Sequence, residues 1–572
     1  MIHVSFLRVA GLLVGLLLLP FSPPAVAQAP AWQSARAVGM ATAAAAGNFS
    51  EVRATAVDAA GNVYLAGYFT NTVALGSTTL TSLGRYDVFV AKFNPVSNQF
   101  VWAQRAGGIS DDRVDALTVS GTSIYIAGYF AGPTAGFGTT ILTNGSNPGY
   151  LDVFVAKLTD AGSTGAFAWA QRAGGTGSDQ ATALAVSGSS VYVAGTFYSS
   201  TANFGPAALT CAGRANIFVA KLTDTGITGS FTWVQQAGGT GYDYAEALAV
   251  SGTNVYLAGN LTSSPANFGP TTLITAGATD VFVAKLTDAG STGAFAWAQR
   301  AGGTANDQVT ALAASGSSVY VAGSFNSSTA GFGPATLTNA GGSTSTPKVF
   351  VAKLTDAVST GDFAWAQQSV GTGNDQALAL VASGTSVYVA GQFSGPLTRF
   401  GLTTIASGGN FDVFVAKLTD AGSTGAFAWA QRAGGTGSDQ ATALAVSSAS
   451  VYVAGGSGSS NVGFGTTTLP NSNSISFLGF LASLTDPTLT ATATAGPREP
   501  AALFPNPARG TATLRLPAGT PSAPLTLTDA LGRAVRRYPA PAGPETALDL
   551  SGLPAGLYLL RGAGPAQRLA VE

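Results

Sequence analysis

An acidic residue stands twelve positions before each of seven Val-Tyr-Val-Ala-Gly-like segments: Glu51, Asp112, Asp179, Asp243, Asp307, Asp375 and Asp439. Seven carboxylates gathered at one channel mouth would focus a field on a cation or a polar ligand. The same groups can instead accept main-chain N–H bonds within their "GGTGSDQ"-like turns. Sevenfold repetition favours this structural role, because a site for an asymmetric ligand has to break the repeat. The break falls in the fourth unit, "GTGYDYAEAL", which sets Tyr242, Tyr244 and Glu246 where other copies carry Ser, Gln and Thr. A tyrosine there can stack on a sugar ring; an idle exposed Tyr is the plainer reading. Six lysines (Lys92, Lys157, Lys221, Lys285, Lys353, Lys417) close another repeated strand, with Ser483 in the seventh copy. Strand alternation puts them at the end opposite the acids. The expectation for them is local pairing within each "KLTD", contributing ~0–1 kcal/mol at a surface.

Other chemistry is excluded by what the chain lacks. Its one His, His3, sits in a leader, so Ser-His-Asp and Cys-His catalysis and the usual zinc ligands have no source. Cys211, the one Cys, has no base to activate it and no partner for a disulfide. Asp-x-Asp-x-Asp calcium loops and Gly-rich phosphate loops are absent, and no cofactor is expected. Net charge is −1 and charged residues make up 9%, against roughly 25% in ordinary domains, which offers nothing to nucleic acid.

The elements that hold these residues repeat. Trp recurs at 32, 102, 169, 233, 297, 365 and 429; "VYVAG" and "VFVAK" variants keep step with it, giving seven units. Residues 152–187 return letter for letter as 412–447. Within one unit the spacing predicts four strands: Ala181–Ser187, Ser190–Phe197, Asn216–Thr223 and Ser230–Gln236. "VYVAG" and "VFVA" are apolar on both alternating faces, so each small sheet must be covered on both sides. Short sheets buried on both faces and repeated radially predict an all-β, seven-bladed β-propeller of four-stranded blades; an open solenoid is the alternative. The segment around Trp32 precedes the first blade and the last blade lacks a Trp strand. The N-terminal strand is therefore expected to complete the seventh blade.

The combination Asp-x-x-x-x-(Leu/Ile)-Ala-Val-x-x-x-x-x-Val-Tyr-Val-x-Gly, then Phe-Gly, then Asp-Val-Phe-Val-Ala-Lys-Leu resembles the SBBP family of bacterial β-propeller repeats, over roughly residues 32–486. Ahead of it, residues 1–27 read as a secretory signal peptide, with one Arg, an apolar run and Ala25-Val26-Ala27. No later stretch reaches transmembrane length. Residues 487–500 are a Thr-, Ala- and Pro-rich linker, and 501–572 predict a small C-terminal β-sandwich. Its motifs are Phe504-Pro505-Asn506-Pro507, then Asp529 with Gly532-Arg533, then Leu553 to Tyr558 including Gly556, and Arg568. These resemble the type A C-terminal sorting domain of the type IX secretion system, a Bacteroidetes export route. That resemblance implies a partnership with the secretion machinery and delivery to the cell surface or the medium.

The chain is accordingly expected to be a monomeric, non-enzymatic scaffold that binds or adheres to an extracellular glycan or protein. A carboxylate-dependent polysaccharide hydrolase or lyase, and a structural surface protein without a ligand, are the alternatives. Two acids converging outside the repeated ring would favour the enzyme.

Overall fold

The computed structural model describes residues 29–39, 48–145, 149–339, 346–448, 450–471, 477–490, 502–515, 524–529, 533–541, 545–562 and 564–572. The expected signal peptide, most of the expected linker and Gly532 lie outside the described residues. The chain is all-β and divides into two compact units between Leu489 and Thr490.

In the first unit, seven antiparallel sheets are each built on four strands in simple up-and-down order, two of them extended to six by a hairpin that pairs onto the fourth strand. The third sheet shows the plan: Asp179–Ser187, Ser190–Phe197, Asn216–Asp224 and Gly229–Ala237. A short hairpin, Thr201–Phe204 with Ala207–Thr210, interrupts the run between the second and third strands. The repeated Phe-Gly marks its turn: Gly205 takes φ +61°, and Phe204 packs 4.8 Å from Phe218, centroid to centroid. The first six sheets are built from consecutive strands. The seventh takes Asp439–Val446, Ser450–Ser457 and Leu478–Thr485 from its own repeat and Trp32–Val38 from the other end of the chain. Trp32 pairs with Leu484 and Val38 with Gly479.

Apolar side chains on both faces of each sheet are buried, as the non-alternating strands require. They gather in seven clusters, each between two successive sheets. One of the seven joins the last sheet (Ala443, Tyr452, Leu481) to the first (Val52, Val63, Phe89). First strands lie side by side in chain order, and Asp439–Val446 lies beside Ser50–Val57.

The lysines correct the expectation of local surface pairs. Each is buried and reaches the Asp of the next unit's "KLTD": Lys92 to Asp160 and Lys221 to Asp288, both at 2.6 Å, and so on to Lys417 with Asp486 at 2.8 Å. The Asp is a shared acceptor. Asp288 receives Lys221 Nζ, Tyr192 Oη at 2.6 Å and Trp233 Nε1 at 3.0 Å from the preceding unit, and Gly290 N at 2.9 Å from its own turn. Burial pushes these carboxyls up, but the donors win: Asp224 is lowered to about 2, and Asp160, Asp288, Asp356, Asp420 and Asp486 are lowered too. Six such clasps link successive sheets. Between the seventh sheet and the first, Ser483 replaces the Lys and Pro95 stands where the Asp would be, so charge and countercharge are missing together.

The C-terminal unit holds a three-stranded and a four-stranded sheet around one apolar cluster that includes Leu514, Leu527, Leu548, Leu560 and Leu569. Asn506 Nδ2 donates to Arg568 O at 2.8 Å and Asn506 Oδ1 accepts from Ala570 N at 2.9 Å. Asn506 thus fastens the opening motif, with Pro505 and Pro507 either side, to the final strand. Arg533 pairs with Asp529, Tyr558 donates to Pro554 O, and Gly556 opens the strand that carries Tyr558.

Candidate functional site

The acids preceding the first strands are buried, with Asp112, Asp179, Asp243, Asp307, Asp375 and Asp439 all at 0–1% exposure. Asp307 shows why. Its carboxylate accepts Gly303 N (2.6 Å), Asn326 N (3.0 Å), Ser327 N (3.1 Å) and Ser327 Oγ (2.7 Å). It thereby ties the Gly-Gly turn to the loop after the second strand, groups that otherwise leave buried donors without a partner. Asp179 and Asp243 repeat the arrangement with Ser199 and Ser263. Burial pushes Asp112 up to about 7 and Asp375 up to about 6, and raises Asp179 and Asp439, against the pull of their donors.

Glu51 does not belong to this series. Ser50 pairs with Phe69 as Asp179 pairs with Phe197, so Ser50 holds the acid's place and Glu51 falls one position later. The cause is the longer turn after the first strand, where Asp58 to Asn62 separate paired residues Val57 and Val63. Glu51 instead accepts Tyr68 Oη at 2.5 Å and Gln440 Nε2 at 2.8 Å, the latter from the seventh sheet.

A different column of residues surrounds a common space. Every first strand carries one β-bulge, and the bulged residues are Arg53, Asp115, Thr182, Glu246, Thr310, Leu378 and Thr442. These same seven line a cavity of about 180 Å³, each aimed inward by its bulge. Thr182 donates to Ala245 O and Thr310 to Ala377 O, both at 2.7 Å, and Thr442 donates to Val52 O across the chain ends. Arg53 lies 3.4 Å from Asp115 and 3.5 Å from Glu51. Glu246 accepts Asn260 Nδ2 at 3.0 Å, yet burial, with Asp115 adding to it, pushes its carboxyl up to about 7. Of the fourth-unit residues singled out in the sequence, Glu246 therefore belongs to this pocket. Arg53 and Asp115 went unnoticed, although a charge in a column otherwise filled by three Thr and one Leu was a signal.

Tyr242 and Tyr244 face elsewhere. Their rings lie parallel, 6.4 Å apart, and the Arg214 guanidinium sits 5.4 Å over Tyr242, whose ring is exposed. Tyr244 Oη is 3.5 Å from Tyr198 Oη. Tyr198 in turn lines a groove of about 500 Å³ with Tyr150, Thr176, Gly177, Ser178, Gln180 and Ser200. Tyr150 comes from the long "LTNGSNPGYLD" loop. Tyr198 was not recognised because it occupies an ordinary position just past a second strand. Cys211 is a free, half-buried thiol, raised by burial, 3.0 Å from Asn216 Oδ1.

Among known families, residues 502–568 match the secretion system C-terminal sorting domain. The chain thus carries a type IX sorting domain, which marks it for export across the outer membrane to the cell surface or the extracellular space. No helix among the described residues is long and apolar enough to cross a membrane. No curated protein matches the chain.

Proposed function

We propose that this exported chain works outside the cell as a seven-bladed β-propeller that binds a glycan without transforming it. Three features support radial closure: the seventh sheet's fourth strand comes from the N-terminus, an apolar cluster joins last sheet to first, and one bulged residue from every sheet meets in a single axial pocket. The repeat's likeness to SBBP propellers points the same way.

One observation carries the binding role: the groove between Tyr150 and Tyr198. Its volume of about 500 Å³ falls in the ~300–1,000 Å³ range of small-molecule sites. Its lining combines two phenol rings with hydroxyl and amide groups and, among the described residues, includes no carboxylate to act as acid or nucleophile. Such a surface offers stacking and neutral hydrogen bonds, which suit a sugar. The parallel Tyr242 and Tyr244 extend the aromatic surface beyond Tyr198.

A hydrolase is the second reading, because Asp115 and Glu246 share the axial pocket. That pocket of about 180 Å³ is smaller than ordinary substrate sites, and Arg53 already engages Asp115. Both facts favour binding over turnover. The test is a glycan array probed with the full chain, followed by titration of any oligosaccharide that binds. Saturable binding lost in Tyr198→Ala and Tyr150→Ala supports the reading. Cleavage of a bound polysaccharide that Glu246→Gln abolishes, or a blank array, refutes it.

A further inference from the structure

A second set of carboxylates opens the third strands: Asp87, Asp152, Asp280 and Asp412. Each approaches the first-strand acid of the next sheet across a glycine of positive φ. At Gly302 (φ +132°), the point where a Cβ would sit lies 2.5 Å from Asp280 Oδ1 and 3.0 Å from Asp307 Oδ2. At Gly107 (φ +133°), that point lies 3.1 Å from Asp87 Oδ1 and 2.8 Å from Asp112 Oδ2. A side chain there would collide with both carboxylates, so only Gly fits.

One oxygen of each third-strand acid is engaged. Asp280 Oδ2 accepts Arg300 Nη1 at 3.0 Å and Ala276 N at 2.5 Å. The other is not: Oδ1 of Asp87, Asp280 and Asp412 is buried without a hydrogen-bond partner. A buried carboxylate oxygen left in this way is costly unless something positive meets it.

The two units that depart from the pattern show what that position demands. In the third unit the residue is Asn216, and its Nδ2 stands where Oδ1 stands elsewhere, donating to Gly239 O at 3.1 Å and Ala237 O at 3.5 Å. The surroundings are therefore carbonyl oxygens, which cannot partner a carboxylate. In the fifth unit the residue is Lys348, whose ammonium donates to Gly373 O at 2.5 Å, with Asp375 close enough to act on its charge. The fourth-strand Arg changes in step: Arg105, Arg172, Arg300 and Arg432 accompany Asp, while Gln236 and Gln368 accompany Asn216 and Lys348. At the seventh position Leu478 takes the place of the third-strand Asp and Ser50 that of the first-strand acid, so neither position carries a charge. One unit supplies an amide donor and one an ammonium. The Asp units supply two carboxylates against a single guanidinium.

We propose that the pairs Asp87–Asp112, Asp280–Asp307 and Asp412–Asp439 each bind a calcium-class cation. Its ligands are the two carboxylates and the main-chain carbonyls equivalent to those that meet Asn216, which are Ala301 O and Gly303 O in the Asp280 site. Hard cations take oxygen ligands of this kind, and weak sites suit the millimolar calcium found outside cells. Among the described residues no group of three or more His, Cys, Asp or Glu is placed to hold a metal. Each site therefore depends on the main chain for the rest of its shell. A proton shared by the two carboxyls would meet the same electrostatic need, and the experiment separates the two.

The full chain, stripped with EDTA, is dialysed against CaCl₂ at pH 7.5 and its thermal unfolding recorded. The expected result is at least three bound Ca²⁺ per chain and a Tm raised by several degrees at millimolar Ca²⁺. The double variant Asp280→Asn/Arg300→Gln copies the pair native to the third unit, so its fold is retained; it is expected to bind one ion fewer. Asp87→Asn/Arg105→Gln repeats the test at a second site. Fewer than three retained ions, or an unchanged count in both variants, overturns the proposal. So does a Tm indifferent to Ca²⁺ that falls between pH 6 and 8, the mark of a shared proton.

Discussion

Replacing Lys221 with Met isolates the value of one inter-sheet clasp. Met keeps an unbranched apolar chain and removes the ammonium, which also lies 5.9 Å over the Tyr192 ring. Two charge-assisted bonds disappear, to Asp288 at 2.6 Å and Gly290 O at 2.9 Å. Each such bond contributes about 1.5–3 kcal/mol. Asp288 stays buried as a carboxylate served only by neutral donors, and breaking a buried pair from one side costs about 3–5 kcal/mol. Lys221→Met is therefore expected to lose about 3–5 kcal/mol. Lys221→Met/Asp288→Asn leaves no stranded charge and is expected to recover about half of that loss. Urea unfolding followed by tryptophan fluorescence reads the effect directly, since the Trp233 indole donates to the same carboxylate. A loss below about 1 kcal/mol for the single variant, or a double variant whose cost is the sum of both singles, would refute the view that this pair acts as a buried unit.

Three further outcomes follow from the same geometry. The clasp carboxyls have folded pKa values below their unfolded value, so their stabilisation is full above about pH 4 and disappears as pH falls; urea midpoints measured from pH 5 to pH 2 should drop steeply through the value of about 2 at Asp224. Asp307→Ala leaves Gly303 N, Ser327 N and Ser327 Oγ without their acceptor and is expected to cost about 3 kcal/mol, with Asp307→Asn intermediate, as read by chemical denaturation. Glu246 is displaced the other way, up to about 7, so its contribution is lost as pH rises from about 4 through 7. Glu246→Gln should accordingly gain in Tm relative to wild type at pH 8 compared with pH 5.

Repetition made much of the fold legible. Three markers in step fixed the number of units, the four strands of each, and the borrowing of the Trp32 strand, because strand period and turn composition are local properties. What escaped depends on side chains meeting between units. The lysines were assigned to the solvent because "KLTD" holds its own countercharge. In the folded chain that Asp turns back to the preceding sheet, a choice set by the burial of Tyr and Trp beside it. Glu51 was misplaced by one residue because a single extra position in a turn shifts register without changing any motif. The pocket lined by the seven bulged residues was invisible for a similar reason, since a bulge redirects one side chain of a strand whose pattern otherwise reads as regular. In the tail, Asn506 and Arg568 were read as separate motifs, and the fold makes them neighbours.

The borrowed strand has a temporal consequence. Of the paired strands in this unit, residues 32–38 leave the ribosome first, yet the edge they pair with, Leu478–Thr485, is completed only after more than four hundred further residues. Six sheets can assemble in the order of synthesis, each on the one before. The seventh has to wait for both extremities of the domain to find one another. Until then the earliest-made strand is a loose end, and the junction it finally seals is the one that carries no lysine–aspartate clasp.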